Sequence, residues 1–156
     1  FLGFAFALRL AAVNAAKRQI LLRLAILRRD GFASMDADAQ EGILTTRPLV
    51  FQGRHLFVNA SAAQGSLQAE IVDATGKPIP PFVRASSEAM RGDSTRRELR
   101  WNGATDLSAL TGKPVRVRFF LKQGSLYSFW VSQNSTGASH GFTAAGGPGL
   151  KGPTDD

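Results

Sequence analysis

A serine hydroxyl becomes a nucleophile only beside a base, and this sequence holds two histidines, His55 and His140. Ser94, inside "RGDST" (91–95), is the candidate nucleophile. His55 falls in an apolar, strand-like run and His140 in a glycine-rich tail, so a triad would rest on the tail alone. A polar loop is the simpler reading. Two histidines without paired ligand spacing, in a chain with no cysteine, argue against zinc. Asp36, Asp38 and Glu41 form an acidic turn whose oxygens would suit calcium, with a solvated loop as the alternative. A glycosidase would need two carboxyl groups about 5 to 5.5 Å apart if retaining, a distance that spacing along a chain does not give.

Ligand recognition is the other chemistry these residue types allow. Sugars are held by aromatic rings against their apolar faces and by polar side chains on their hydroxyls. Trp101, Trp130 and Phe82 are the aromatics to consider, with Asn102, Asp106 and Arg118 as hydrogen-bonding neighbours. Each aromatic competes with a plain role in the core. The basic stretch "GKPVRVRFF" (112–120) raises phosphate binding instead. A phosphate loop, however, needs G-x-x-x-x-G-K-[ST] running into a helix. Here Leu107 stands for the first glycine, Pro114 for the hydroxyl residue, and a strand follows.

The elements that must position these groups read as β-strands. Val115, Val117 and Phe119 alternate with Arg116, Arg118 and Phe120, the period of a sheet with one face inward and one toward solvent. In "SLYSFWV" (125–131) the same alternation puts Leu126, Ser128 and Trp130 on one face and Tyr127, Phe129 and Val131 on the other, the second set forming core. Nucleic-acid binding, which wants exposed rings beside arginines, is disfavoured by that reading. Between Leu27 and residue 133, short apolar runs are punctuated by Gly, Asn, Asp and Pro at the spacing of an all-β sandwich or barrel. In "VDATGKPI" (72–79) Asp73 and Gly76 suit a tight reversal, and Pro78 a strand edge.

The flanks differ. Residues 1–26 are apolar and alanine-rich, interrupted by Arg9 and Lys17-Arg18, and are expected to be a helix that packs on the domain or on a second subunit. A membrane-surface helix or an export signal are the alternatives, and a membrane span is opposed by Arg9 within the apolar run. Residues 134–156 are rich in Gly, Ser, Thr and Ala and read as a flexible extension. With 156 residues the chain has room for one core. Its net charge of +7 is uneven: +5 in residues 1–31, +3 in 32–133 and −1 beyond. The body is therefore close to neutral and requires no acidic polymer as partner.

"LRRDGFASMDA", "GILTTRPLVFQGRHLFVNASA", "GSLQAEIVDATGKPI" and "GDSTRRELRWNGATDLSALTGKPVRVRFFLKQGSLYSF" together resemble the C-terminal module of large bacterial glycosidase-like proteins, from about Leu27 to Phe129. The resemblance implies an all-β fold, an antiparallel β-sandwich of the jelly-roll or lectin-like kind, here with an N-terminal helical segment. It implies a non-catalytic accessory role, with carbohydrate or a glycosidase catalytic domain as partner, and an extracellular or periplasmic setting. Neither residues 1–26 nor the tail has a counterpart in it. Two further functions stay open: a small hydrolase, esterase or glycosidase, using Ser94 or acidic residues, and a self-assembling module whose leader forms a homo-oligomer contact.

Overall fold

The computed structural model describes residues 27–138, together with the backbone of two short strands before them. Those are β1 (Phe6–Leu8) and β2 (Arg23–Ala25), which pair antiparallel. The expected N-terminal helix covers these two strands, and the rest of residues 1–26 lies outside the described residues, as do residues 139–156 of the tail. Six further strands follow: β3 (Met35–Ala37), β4 (Gly42–Thr45), β5 (His55–Val72), β6 (Met90–Leu99), β7 (Arg116–Lys122) and β8 (Gly124–Ser132). Among the described residues the only helical turns are short 3-10 segments at Arg84–Ser86 and Ser108–Leu110. The six strands form one antiparallel sheet that curls until it is nearly closed into a barrel.

The organising element is the 18-residue strand β5. Along one edge it meets β7 and then β8, from Val72↔Arg116 through Ser66↔Lys122 to Ser61↔Ser125 and His55↔Ser132. Residues 116–132 are thus one long strand antiparallel to β5, interrupted at Gln123. β4 flanks β7 and β3 flanks β8 in the same order, while β6 runs along the opposite edge of β5. Between Ser61 and Ser66 the ribbon bends, with four intervening residues of β5 facing two of its partner. Glycine is needed there on both strands. A Cβ on Gly65 would lie 1.8 Å from the Lys122 carbonyl oxygen, and one on Gly124 2.4 Å from that of Ser61.

The bend brings both ends of β5 to one core. Leu56 pairs with Leu99, and two residues on the buried Trp101 Nε1–H donates to the Ala69 carbonyl at 3.0 Å. The Ser87 hydroxyl accepts from the Ala69 N–H at 3.1 Å, and Ser87 bridges to Trp101. Around this closure pack Val58, Leu67, Ile71, Met90, Val117, Phe119, Leu126 and Val131, all buried. The predicted reversal at 72–79 is present: Asp73 Oδ1 accepts from the Thr75 and Lys77 amides at 2.8 and 3.0 Å, and Gly76 has φ +88°.

In its first half β5 is buried on both faces. Leu56, Val58 and Ala60 face the core, and Phe57 and Asn59 face outward yet are also buried. Asn59 receives a 2.6 Å hydrogen bond from Arg28 Nε, and the Arg28 guanidinium also pairs with Asp93 at 2.7 Å and lies over the Tyr127 ring. Trp130 stacks on Phe57, its Nε1–H donates to the Gly137 carbonyl at 3.0 Å, and the Ser132 hydroxyl donates to Ala138. Residues 134–138 of the tail are therefore a cover on the sheet. Gly137 has φ +72°, and a Cβ there would meet the Phe57 ring at 2.7 Å.

One facing pattern differs from the expected alternation. Asn59 pairs with Ser128 but Ala60 with Leu126, so Tyr127 is an extra residue, a β-bulge. The bulge turns Leu126 into the core beside Phe129 and Val131 and leaves Tyr127 beneath Arg28. A period of two cannot carry a side-chain assignment across an inserted residue.

Gly65→Ala is expected to destabilise the protein by at least about 3 kcal/mol, the range of severe backbone and packing faults. Chemical denaturation would read this; a change within ~0.5 kcal/mol would show that the ribbon does not depend on the close approach. A pH dependence also follows. The side-chain hydrogen bond from Thr75, and then the backbone bonds of the turn, hold the Asp73 carboxyl below its ordinary 3.8. A depressed carboxylate contributes stability above the unfolded value and loses it as pH falls through the folded one. Thermal stability should drop on acidification below about pH 4, and Asp73→Asn should flatten that drop.

Candidate functional site

The sheet's curl opens a pocket at the end where β5 begins and β6 finishes. Its walls are Arg54, His55 and Leu56, the segment Glu98 to Trp101, and the loop Ala104 to Leu107, with Phe82 behind, around a cavity of only about 20 Å³. The loop is stitched in place by its backbone, because the Leu107 N–H donates to the Arg54 carbonyl at 2.7 Å. Gly103, at φ +87°, lets the chain turn between Trp101 and Ala104, whose N–H returns to the Trp101 carbonyl.

The polar lining is a connected set. His55 Nδ1 lies 2.6 Å from Glu98 Oε1, with side-chain exposures of 18% and 13%, so the pair sits largely out of water. The other Glu98 oxygen accepts from Arg100, with Nε at 2.7 Å. Register explains the meeting: Glu98 pairs with Phe57, which places it on the same outward face as His55 two residues back along β5. With Nδ1 committed to the carboxylate, Nε2 is the ring nitrogen left for a ligand. Asp106 closes the opposite wall. Its carboxyl is held below the usual carboxylate range, first by hydrogen bonds from Ser108, then by the nearby charges of Arg54 and His55.

A second, more open cleft of about 390 Å³ adjoins this pocket. It is shaped by Ile79 to Phe82, Gly103 to Asp106, Ser108 to Leu110 and Lys113, and shares Phe82, Ala104, Thr105 and Asp106 with the first. Its apolar side is formed by Ile79, Pro80, Pro81 and Leu110.

The residues singled out by sequence divide sharply. Phe82, Trp101 and Asp106 come together in the pocket, and Asn102 is exposed beside them. Phe82 and Trp101 are 2% and 4% exposed, packed edge to face, so neither offers a ring face for stacking; they are core groups that form the pocket floor. Trp130 lies across Phe57 from Glu98, beneath the Gly137 cover, and lines neither cavity. Arg118 is on the far half of the ribbon and is a structural cation. It pairs with the buried Glu70 at 2.7 Å and reaches Thr45 and Gly76. The arginines at 116 and 118 do not both point to water, since Arg116 Nε is buried.

The weaker candidates are dispersed. Ser94 pairs with Ala60, five residues along β5 from His55, which is roughly 16 Å of strand. Its hydroxyl accepts from the Arg96 N–H, and among the described residues no histidine or carboxylate is hydrogen-bonded to it; His140 lies outside them. Asp38 accepts from the Gln40 amide, both Glu41 oxygens receive the Arg84 guanidinium at 2.9 and 2.6 Å, and Asp36 is bonded by Ser125 and Ser34. Among the described residues no three carboxylate, histidine or cysteine groups converge to hold a metal. Sequence reasoning passed over His55 and Glu98 as a pair, because 43 residues separate them and only the strand register joins them.

Glu98→Ala would leave His55 and Arg100 without their acceptor in a largely dry wall. A loss of about 1 to 3 kcal/mol is expected in denaturant unfolding, against a smaller loss for Glu98→Gln, which keeps one acceptor. Equal stability of both variants and the parent would remove the pair from the account. No known protein family, curated protein or solved structure matches this chain.

Proposed function

We propose that the chain is a non-catalytic carbohydrate-binding or accessory module of the kind attached to bacterial glycoside-hydrolase-like proteins, with its curled sheet a variant of the jelly-roll or lectin-like sandwich. The observation that carries the reading is the pocket itself. One small concavity gathers a hydrogen-bonding imidazole, two carboxylates and two arginines over an aromatic floor. Sugar hydroxyls need donors and acceptors fixed in direction, and apolar C–H faces need a dry floor. The adjoining cleft supplies the room for a sugar ring, which would lie along Pro80 and Pro81 while only one of its substituents reaches into the small pocket.

A hydrolase is the second reading, and the His55–Glu98 pair favours it over Ser94, since an imidazole oriented by a carboxylate is the arrangement of a general base. No serine lines that pocket, so water or the Thr105 hydroxyl would have to be the nucleophile. Binding requires less of the geometry and is preferred.

Titration calorimetry against plant, algal and bacterial oligosaccharides tests the proposal. A binder is expected, with Arg54→Ala weakening it at least about tenfold, as the loss of one well-placed charged hydrogen bond would. Binding unaffected by that substitution would move the site elsewhere, and hydrolysis abolished by His55→Ala would establish the second reading.

A further inference from the structure

We infer that the sugar unit this pocket selects carries a carboxylate, a uronic acid residue, in place of a neutral sugar; the inference rests on the pocket being the carbohydrate site. The argument is an inventory of which polar groups are already occupied. Both oxygens of Glu98 are engaged, one by His55 and one by Arg100, so its negative charge is compensated inside the wall. Asp106 Oδ1 accepts from the Ser108 amide at 2.9 Å, within its own turn. The acceptors at the pocket are therefore largely satisfied by the protein.

The donors are not. Arg54 lines the pocket and, although its charge acts on Asp106, makes no ion pair within 4 Å among the described residues. Arg100 binds Glu98 through Nε and Nη2, which leaves Nη1, and its side chain is 63% exposed. In the adjoining cleft Lys113 is exposed and uses Nζ only on the Ala109 carbonyl. A neutral sugar offers hydroxyls that both donate and accept, and would leave these N–H groups underused. A carboxylate only accepts, takes two parallel N–H bonds from a guanidinium, and gains from the positive charge as well. The small size of the pocket admits the carboxylate alone, with the sugar ring in the adjoining cleft.

The test compares trigalacturonate with its fully methyl-esterified form, which has the same shape and no charge, by calorimetry on the whole chain at low and at moderate salt. The acid is expected to bind at least tenfold more tightly than the ester, with the difference shrinking at higher salt. Arg54→Gln, and separately Arg100→Gln, should reduce the preference for the acid, while Lys122→Gln, an exposed cation at the far end of β7, should not. Circular dichroism confirms that each variant is folded. Equal affinity for acid and ester overturns the uronate assignment and leaves the carbohydrate site standing. Equal binding of a sulfated trisaccharide overturns it too, in favour of general anion recognition. Binding of no glycan in the wider screen overturns the site and the inference with it.

Discussion

The close approach of two backbones at the bend of the central ribbon is the constraint on which the molecule depends. A strand of 18 residues would run straight past any small core. β5 does not, because Gly65 lies against the Lys122 carbonyl and Gly124 against that of Ser61, so both strands of the ribbon turn at one place. Everything that closes the sheet follows from that turn. Leu56 and Ala69, 13 positions apart on β5, both end up against the segment around Leu99 and Trp101. With a side chain at either glycine, the two halves of the strand could not share a core.

The pocket is a by-product of the same geometry. Where a sheet almost closes, the last strands cannot hydrogen-bond to one another, and loops must fill the opening. The loop from Ala104 to Leu107 does so by tying its amide to Arg54, and the space left between it and the ends of β5 and β6 is the pocket. Its polar wall is internally balanced: one carboxylate with two hydrogen-donating partners, of which His55 is largely buried with it and Arg100 is exposed. The opposite half of the ribbon uses the same device for structure alone. There Glu70 receives Arg118 and the Arg84 amide, while Arg84 stacks over Phe120 and forks onto Glu41, holding the 72–86 excursion against the sheet.

The outward face of β5 shows how short segments can substitute for a second layer. Arg28 and residues 134–138 bury Phe57 and Asn59 with one guanidinium, one indole hydrogen bond and one glycine seated on a ring. A composition poor in large apolar residues suggested that the tail would gain little by folding, yet its first residues need only fit closely over Trp130 and Phe57. Hydrogen bonds from Trp130 and Ser132 satisfy the carbonyls at 137 and 138, and that offsets part of the ordering cost.

The amino-acid sequence by itself determined the strand-and-turn texture of residues 27–133, the reversal at Asp73–Gly76, the alternation from Val115 to Phe120, and the lack of a phosphate loop. These are local: each depends on dihedral preferences and on a period of two within a few residues. It also picked Phe82 and Trp101, though as stacking rings and not as the floor they form, and Asp106 as a hydrogen-bonding neighbour of them. The tertiary structure alone decided that β7 and β8 are one strand, that a bulge at Tyr127 reverses the facing of Leu126, and that Arg118 belongs to Glu70. It alone brought His55 to Glu98 and set it five residues along β5 from the partner of Ser94. The physical reason is common to all of these. Register and bulges are fixed by backbone pairing across long separations, and a shift of one residue moves every side chain to the other face, so which groups meet is settled only when the sheet closes.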